Sequence, residues 1–311
     1  MPLNSRYLRV SITNKCNLNC YFCHGEGQSK LKSEYELTLD DISFIAETAK
    51  HIGFTKLKLT GGEPTLRKDI IQIIEKINKI EIDDFSIISN GVNLSKLAKS
   101  LKEAGLPRIN VTLQTLNKNR FYNNVCRDTS KLDLILSGID KALEVGYTDM
   151  KLNFIYHSKD SEDDLKEICE FAAARHLLIV VLPILMINPK ENDAIIDLDT
   201  LYKRIQQFDI TQEEIISDNE GIMRKLIKLK NGASILIRMN ELSEIFPYRQ
   251  CLYCKKKESC REGIFPIRIT SDGYILPCLP EGIVREDIKN SLLKKNKSQL
   301  INMMQKYRIV Q

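Results

Sequence analysis

From residue 7 to about 185, short apolar runs alternate with longer stretches whose apolar positions recur every three or four residues. These are the periods of buried strands and of helices covered on one face. The runs at 6–13, 56–60, 85–89, 108–113, 151–156 and 177–182 read as strands, and Pro183 ends the last of them. The stretches at 38–51, 68–78, 95–104, 132–144 and 161–175 read as helices. Thr38 is placed as an N-cap ahead of Asp40 and Asp41, and Gly105 and Gly146 sit where helices stop. Six strand-helix units imply a parallel sheet with helices outside it. Eight such units close a barrel, so six predict an α/β fold that is either a partial, TIM-like (β/α)6 barrel or an open sheet. Functional residues are then expected at the carboxyl ends of the strands.

Beyond Pro189 the alternation stops. Residues 198–208 read as a helix, followed by an irregular stretch to about 232 and short strands at 233–238, 266–270 and 274–276. Ser271-Asp272-Gly273 joins the last two as a hairpin turn, with glycine where positive φ is needed. The basic tail from Lys289 reads as a helix. The expected organisation is a barrel over 1–215, a small cysteine-bearing module over 216–288 and a tail helix over 289–311.

The 311 residues are 43% hydrophobic and 28% charged, with 46 basic and 41 acidic side chains and a net charge of +5. No apolar run approaches the roughly 18 to 20 residues that cross a bilayer, and residues 1–6 hold no signal-peptide core. A cytoplasmic protein is expected, with no membrane partner. Basic residues gather only in short clusters such as Lys255-Lys256-Lys257 and Lys294-Lys295. A nucleic-acid partner would need them on one stripe, so none is expected.

The nine cysteines carry more information. In a reducing compartment, grouped cysteines bind metal or do chemistry. One group is Cys16, Cys20 and Cys23; the other is Cys251, Cys254, Cys260 and Cys278. Cys169, with apolar Ile168 and Phe171 near it, reads as a core residue. Cys126 stands alone beside Arg127-Asp128. The first group lies on a loop just after the first strand. Three thiolates there can hold three irons of a cubane and leave the fourth open for a ligand; on spacing alone a zinc site is an equal alternative. Leu59-Thr60-Gly61-Gly62-Glu63-Pro64 follows the second strand. Its glycines allow close backbone approach, and its carboxylate or carbonyls can accept hydrogen bonds from an ammonium group.

Together the two motifs, C-x3-C-x2-C and Gly-Gly-Glu-Pro, resemble the radical S-adenosylmethionine superfamily. Residues 7–13, 58–69, 104–111 and 269–273 resemble the GTP 3′,8-cyclase family of molybdenum-cofactor synthesis. The resemblance implies S-adenosyl-L-methionine bound at the open iron. One electron then cleaves the sulfonium bond and yields a 5′-deoxyadenosyl radical that takes a hydrogen from a small-molecule substrate. It implies Phe22 against the adenine, Gly61, Gly62 and Glu63 at the methionine amino group, and Ser89 and Thr112 at polar groups of the cofactor. It implies an electron donor such as flavodoxin or ferredoxin.

As a fragment the second cysteine group reads as zinc. The resemblance implies an auxiliary cluster instead, in a SPASM/twitch-like module, making two [4Fe-4S] clusters. The spacing there, C-x2-C-x5-C-x17-C, departs from the cyclase pattern C-x2-C-x13-C, and a fourth ligand would close the cluster. Val180 and Pro266 stand where the cyclases carry arginines, Gln114 where they carry an aspartate, and Ile309-Val310-Gln311 where they end in glycines. Arg9, Lys56, Lys151 and Arg268 match basic positions and are the candidate substrate contacts; Lys58 keeps the charge. A paralogue acting on a smaller or less charged nucleoside, nucleotide or sugar-like metabolite is expected. The alternatives are a peptide-modifying relative, although no room for a leader-binding domain is seen before the first strand, and a non-catalytic zinc or iron–sulfur regulatory protein.

Overall fold

A computed structural model of the chain describes residues 7–25, 34–157, 160–183, 198–217, 223–238, 266–277 and 285–307. The six predicted strands are β1 (Tyr7–Ser11), β2 (Lys56–Thr60), β3 (Asp84–Ser89), β4 (Arg108–Thr112), β5 (Lys151–Tyr156) and β6 (Leu178–Pro183). Between them run α1 (Leu39–His51), α2 (Ile70–Asn78), α3 (Leu94–Glu103), α4 (Lys118–Asn124), α5 (Ser130–Glu144) and α6 (Asp160–Ala173), and α7 (Leu198–Ile205) follows β6. Thr38 caps α1 as expected: its hydroxyl accepts from the Asp41 N–H at 3.1 Å, and Asp41 in turn accepts from the Thr38 N–H at 3.0 Å.

The later strands are β7 (Ile210–Ser217), β8 (Met223–Leu229), β9 (Ser234–Arg238), β10 (Ile267–Ile269), β11 (Tyr274–Leu276) and β12 (Glu286–Asp287). All twelve form one sheet in the order β12-β11-β10-β1-β2-β3-β4-β5-β6-β9-β8-β7. β10 pairs parallel with β1, and β9 parallel with β6, so both flanks of the six-stranded sheet are extended by the C-terminal third of the chain. The fold is the expected α/β partial barrel.

Three expectations are corrected. The stretch read as irregular up to 232 holds β7 and β8, an antiparallel pair. β7 is an edge strand with most of its side chains exposed, so it needs none of the apolar alternation that betrays a buried strand. Residue 215, the expected end of the barrel, consequently falls inside a strand. The tail is two helices, α8 (Lys289–Leu293) and α9 (Lys297–Gln305). They break at Lys295, whose φ is 48°, and Asn296 then caps α9 through the Gln299 N–H at 3.0 Å. The short helix α4 is an addition; only Phe121 of it is buried, which leaves no periodic signal to read.

The alternation of the strands sorts the sheet into two faces. Leu8, Val10, Leu57, Leu59, Phe85, Ile87, Ile109, Val111, Leu152, Phe154, Ile179 and Val181 lie in the core with the helices. The other face is polar. Arg9 lies level with Lys58 and Arg268, Lys58 with Ser86, Ser86 with Arg108, and Asn110 with Lys151. No helix among the described residues is long and apolar enough to cross a membrane.

Candidate active site

The cysteine loop leaves the carboxyl end of β1 and is pinned from two sides. On one side the glycine motif grips its backbone. The Gly62 N–H donates to the Thr13 carbonyl at 2.8 Å and the Glu63 N–H to the Lys15 carbonyl at 2.7 Å. A Cβ on Gly61 would sit 2.3 Å from the Thr13 oxygen, and one on Gly62 would sit 2.1 Å from the Lys15 oxygen. Only glycine permits that approach. On the other side the end of α4 and the residues after it hold the loop: Asn19 N–H donates to Val125 at 3.1 Å and Tyr21 N–H to Asn124 at 3.0 Å. The Lys131 ammonium reaches the Asn17 carbonyl at 2.8 Å and the Cys126 sulfur at 3.6 Å.

Cys16 and Cys23 are exposed and Cys20 is half-buried. The Leu18 N–H points at the Cys16 sulfur at 3.5 Å, the Gly25 N–H at the Cys23 sulfur at 3.4 Å, and the Asn90 side-chain N–H at the Cys16 sulfur at 3.8 Å. Burial, then the neighbouring Cys23 and Cys16, push the Cys20 thiol up to about 12; burial also raises Cys16. Three neighbouring sulfurs, with the Cys16 and Cys20 thiolates costly alone, suit a shared metal group that would deprotonate them on binding. Among the described residues no three His, Cys, Asp or Glu side chains converge tightly enough for a single ion. The loop thus presents three sulfurs, those of Cys16 and Cys23 met by N–H donors, a donor set that fits a thiolate-ligated cluster.

Glu63 is fully buried. Its carboxylate accepts from the Thr65 N–H at 3.0 Å, the Thr65 hydroxyl at 2.6 Å, the Ser89 hydroxyl at 2.9 Å and the Asn90 N–H at 2.6 Å. Burial pushes its carboxyl up, against the pull of those donors. Ser89 also accepts from the Gly91 N–H at 3.0 Å. The side chains of Glu63 and Ser89 therefore brace the loop from within. Phe22 and Thr112 are half-buried. Tyr21 lies between Phe22 and His157, edge-on to each, at 5.5 and 4.8 Å between ring centres. Asn90 escaped the sequence reading; its signal was its place in Ser89-Asn90-Gly91, directly after a strand.

One to five residues before the ends of the strands, the polar face gathers cations. Asp84 pairs with Lys56 at 3.7 Å and with Arg108, which also reaches Asp149 at 3.4 Å. Lys58 and Lys151 have no carboxylate partner among the described residues. Burial, then Lys56, Arg9 and Arg108, hold the Lys58 ammonium well below its ordinary value; burial, then Arg108, lowers Lys151. Ser86 is 0% and Asn110 4% exposed, yet the Ser86 hydroxyl and the Asn110 carbonyl oxygen have no hydrogen-bond partner among the described residues. The fold thus brings Arg9, Lys56, Lys151 and Arg268 to one face, and adds Lys58, Ser86, Arg108 and Asn110. Val180 shares that face, level with Asn153. Cys169 is a core residue. Cys251, Cys254, Cys260 and Cys278 lie outside the described residues.

A thiolate loop at the strand ends of a parallel sheet, above a polar face, is the layout of an enzyme that works through a bound metal group. The chain belongs to the Radical SAM superfamily, whose family model matches residues 10–172. That family uses S-adenosylmethionine and a [4Fe-4S] cluster, and the loop described above fits the cluster. The chain is 34% identical over 274 residues to the probable GTP 3′,8-cyclase of Methanocaldococcus jannaschii, covering 88% of this chain and 85% of the relative. It is 33% identical over 275 residues to the corresponding protein of Pyrococcus abyssi, covering 88% and 84%. Among solved structures it resembles Streptococcus suis SuiB bound to S-adenosylmethionine, with a TM-score of 0.64 and 18% identity. The match covers 94% of this chain and 65% of SuiB, which shows the shared fold.

Proposed function

We propose that the enzyme abstracts hydrogen from a phosphate-bearing nucleotide or a related sugar phosphate, with Arg9, Lys56, Lys58, Lys151 and Arg268 as its anion contacts. One observation carries this reading: Lys58 and Lys151 are desolvated without a carboxylate partner among the described residues, next to Ser86 and Asn110, which are likewise unsatisfied there. Burying cations and polar groups this way is unfavourable unless a ligand completes their contacts. The relatives named GTP 3′,8-cyclase make a purine nucleotide the first candidate. Val180, in place of an expected arginine, favours fewer phosphates than three. When loaded, the cluster on Cys16, Cys20 and Cys23 supplies a 5′-deoxyadenosyl radical from S-adenosylmethionine, with one electron from a flavodoxin- or ferredoxin-type donor. The chain's own part is to hold the substrate against that radical and to exclude water. Phe22, Thr112 and the Gly61-Gly62 backbone are assigned to the cofactor, and the four C-terminal cysteines to a second [4Fe-4S] cluster.

Anaerobic reconstitution tests the assignment. About eight irons per chain are expected, with dithionite-dependent 5′-deoxyadenosine release. GTP, GMP, guanosine and ribose 5-phosphate are then compared for their effect on that release. Acceleration by the phosphorylated members and not by guanosine supports the reading; an equal response to guanosine removes the anion contacts from it. About four irons would withdraw the second cluster alone.

A further inference from the structure

We infer that Asn90 is a positioning residue that tunes the cluster through Cys16 and ties it to the Gly-Gly-Glu-Pro loop. The inference rests on Cys16 being a cluster ligand. Asn90 sits just past β3, and its backbone N–H and both ends of its side-chain amide are engaged. Its backbone N–H donates to Glu63 at 2.6 Å, its side-chain oxygen accepts from the Val92 N–H at 3.1 Å, and its side-chain nitrogen donates to the Asn17 side-chain oxygen at 2.8 Å. Those three bonds fix the amide plane. The second hydrogen of the nitrogen is left for the Cys16 sulfur, 3.8 Å away and within reach for a large sulfur acceptor. The other N–H donors to these sulfurs are backbone groups of the cysteine loop itself. Asn90 is, among the described residues, the side-chain donor that reaches a cluster sulfur from another element. Hydrogen bonds to cluster sulfurs stabilise the added electron of the reduced state and so raise the potential. Through its backbone bond, the same residue holds the buried Glu63 that shapes the glycine loop. A shift of that loop would thereby be felt at Cys16.

Asn90→Asp retains the acceptor for Val92 and the backbone bond to Glu63, and replaces the donor by an anionic acceptor. In the reconstituted holoenzyme it is expected to keep its irons. At a fixed applied potential its ratio of reduced to oxidised cluster should fall about tenfold, which for a one-electron couple is about 59 mV. Asn90→Ser, neutral and too short to reach, should shift the ratio the same way by about threefold. Full iron with wild-type reduction in both variants overturns the inference. Loss of neither iron nor S-adenosylmethionine cleavage on Cys16→Ala would instead overturn the cluster assignment beneath it. The wild-type enzyme gives a readout that needs no variant to fold. With asparagine labelled by nitrogen-15 in its side chain, electron–nuclear double resonance of the reduced cluster should show a coupling to that nitrogen. Its absence also overturns the inference.

Discussion

At the strand ends, Glu63 is buried with four hydrogen bonds to its carboxylate, donated by Thr65, Ser89 and Asn90. A little earlier in the same strands, Lys58 and Lys151 are desolvated without carboxylate partners among the described residues, and Ser86 and Asn110 keep atoms unsatisfied by those residues. Both levels are polar and partly or fully buried, and the difference lies in who completes them. The upper level is closed on itself, which fits a scaffold that must hold a cysteine loop in one geometry before anything binds. The lower level carries unmet electrostatic demand, which fits a surface completed by a substrate of opposite charge. Preorganisation and recognition are thus separated by a few residues of strand.

The comparison can be tested in order of expected effect. Cys20→Ala should remove about four irons per chain and abolish S-adenosylmethionine cleavage, read by iron assay and by chromatography of 5′-deoxyadenosine. Gly62→Ala drives a Cβ to 2.1 Å from the Lys15 oxygen. Urea unfolding should show a loss of about 3 kcal/mol, with iron occupancy falling alongside. Glu63→Gln puts an amide N–H against donors and should cost about 2 kcal/mol. Ser86→Ala, which removes a group with nothing to lose, should stay within about 0.5 kcal/mol. Equal losses in those last two variants would erase the distinction between the levels.

Lys58→Met should go the other way and stabilise the ligand-free protein by about 1 kcal/mol, while weakening binding of a phosphorylated substrate. The sign follows from linkage. A lysine whose folded value lies below its unfolded 10.5 binds fewer protons in the folded state. Its penalty is full at pH below the lowered folded value, and it fades as pH rises from there to 10.5. The gain from Lys58→Met, read as the difference in melting temperature, should therefore shrink over that window.

Much of the barrel was legible because its strands have one apolar face each. In β1 to β6 the alternation and the punctuating Gly105, Gly146 and Pro183 marked the elements to within a residue or two. β7 and α4 were not legible, since an edge strand and a one-sided short helix bury too little to leave a period. Within the site, the pair of motifs was legible and the direction of a side chain was not. Glu63 sits in a motif expected to meet a ligand, yet four donors from Thr65, Ser89 and Asn90 draw its carboxylate inward.

The order of strands and helices, the spacing of three thiols on one loop and the need for two glycines beside them are properties of the chain alone, set by periodicity and by covalent neighbourhood. Which cations share a level of the sheet, and which amide meets Cys16, were decided only when residues 22 to 74 positions apart in the chain were brought together. Alternation tells which side of its own strand a residue occupies. It carries no information on the neighbouring strand's offset, and that offset is what set Lys58 beside Ser86 and left the Ser86 hydroxyl without a partner among the described residues.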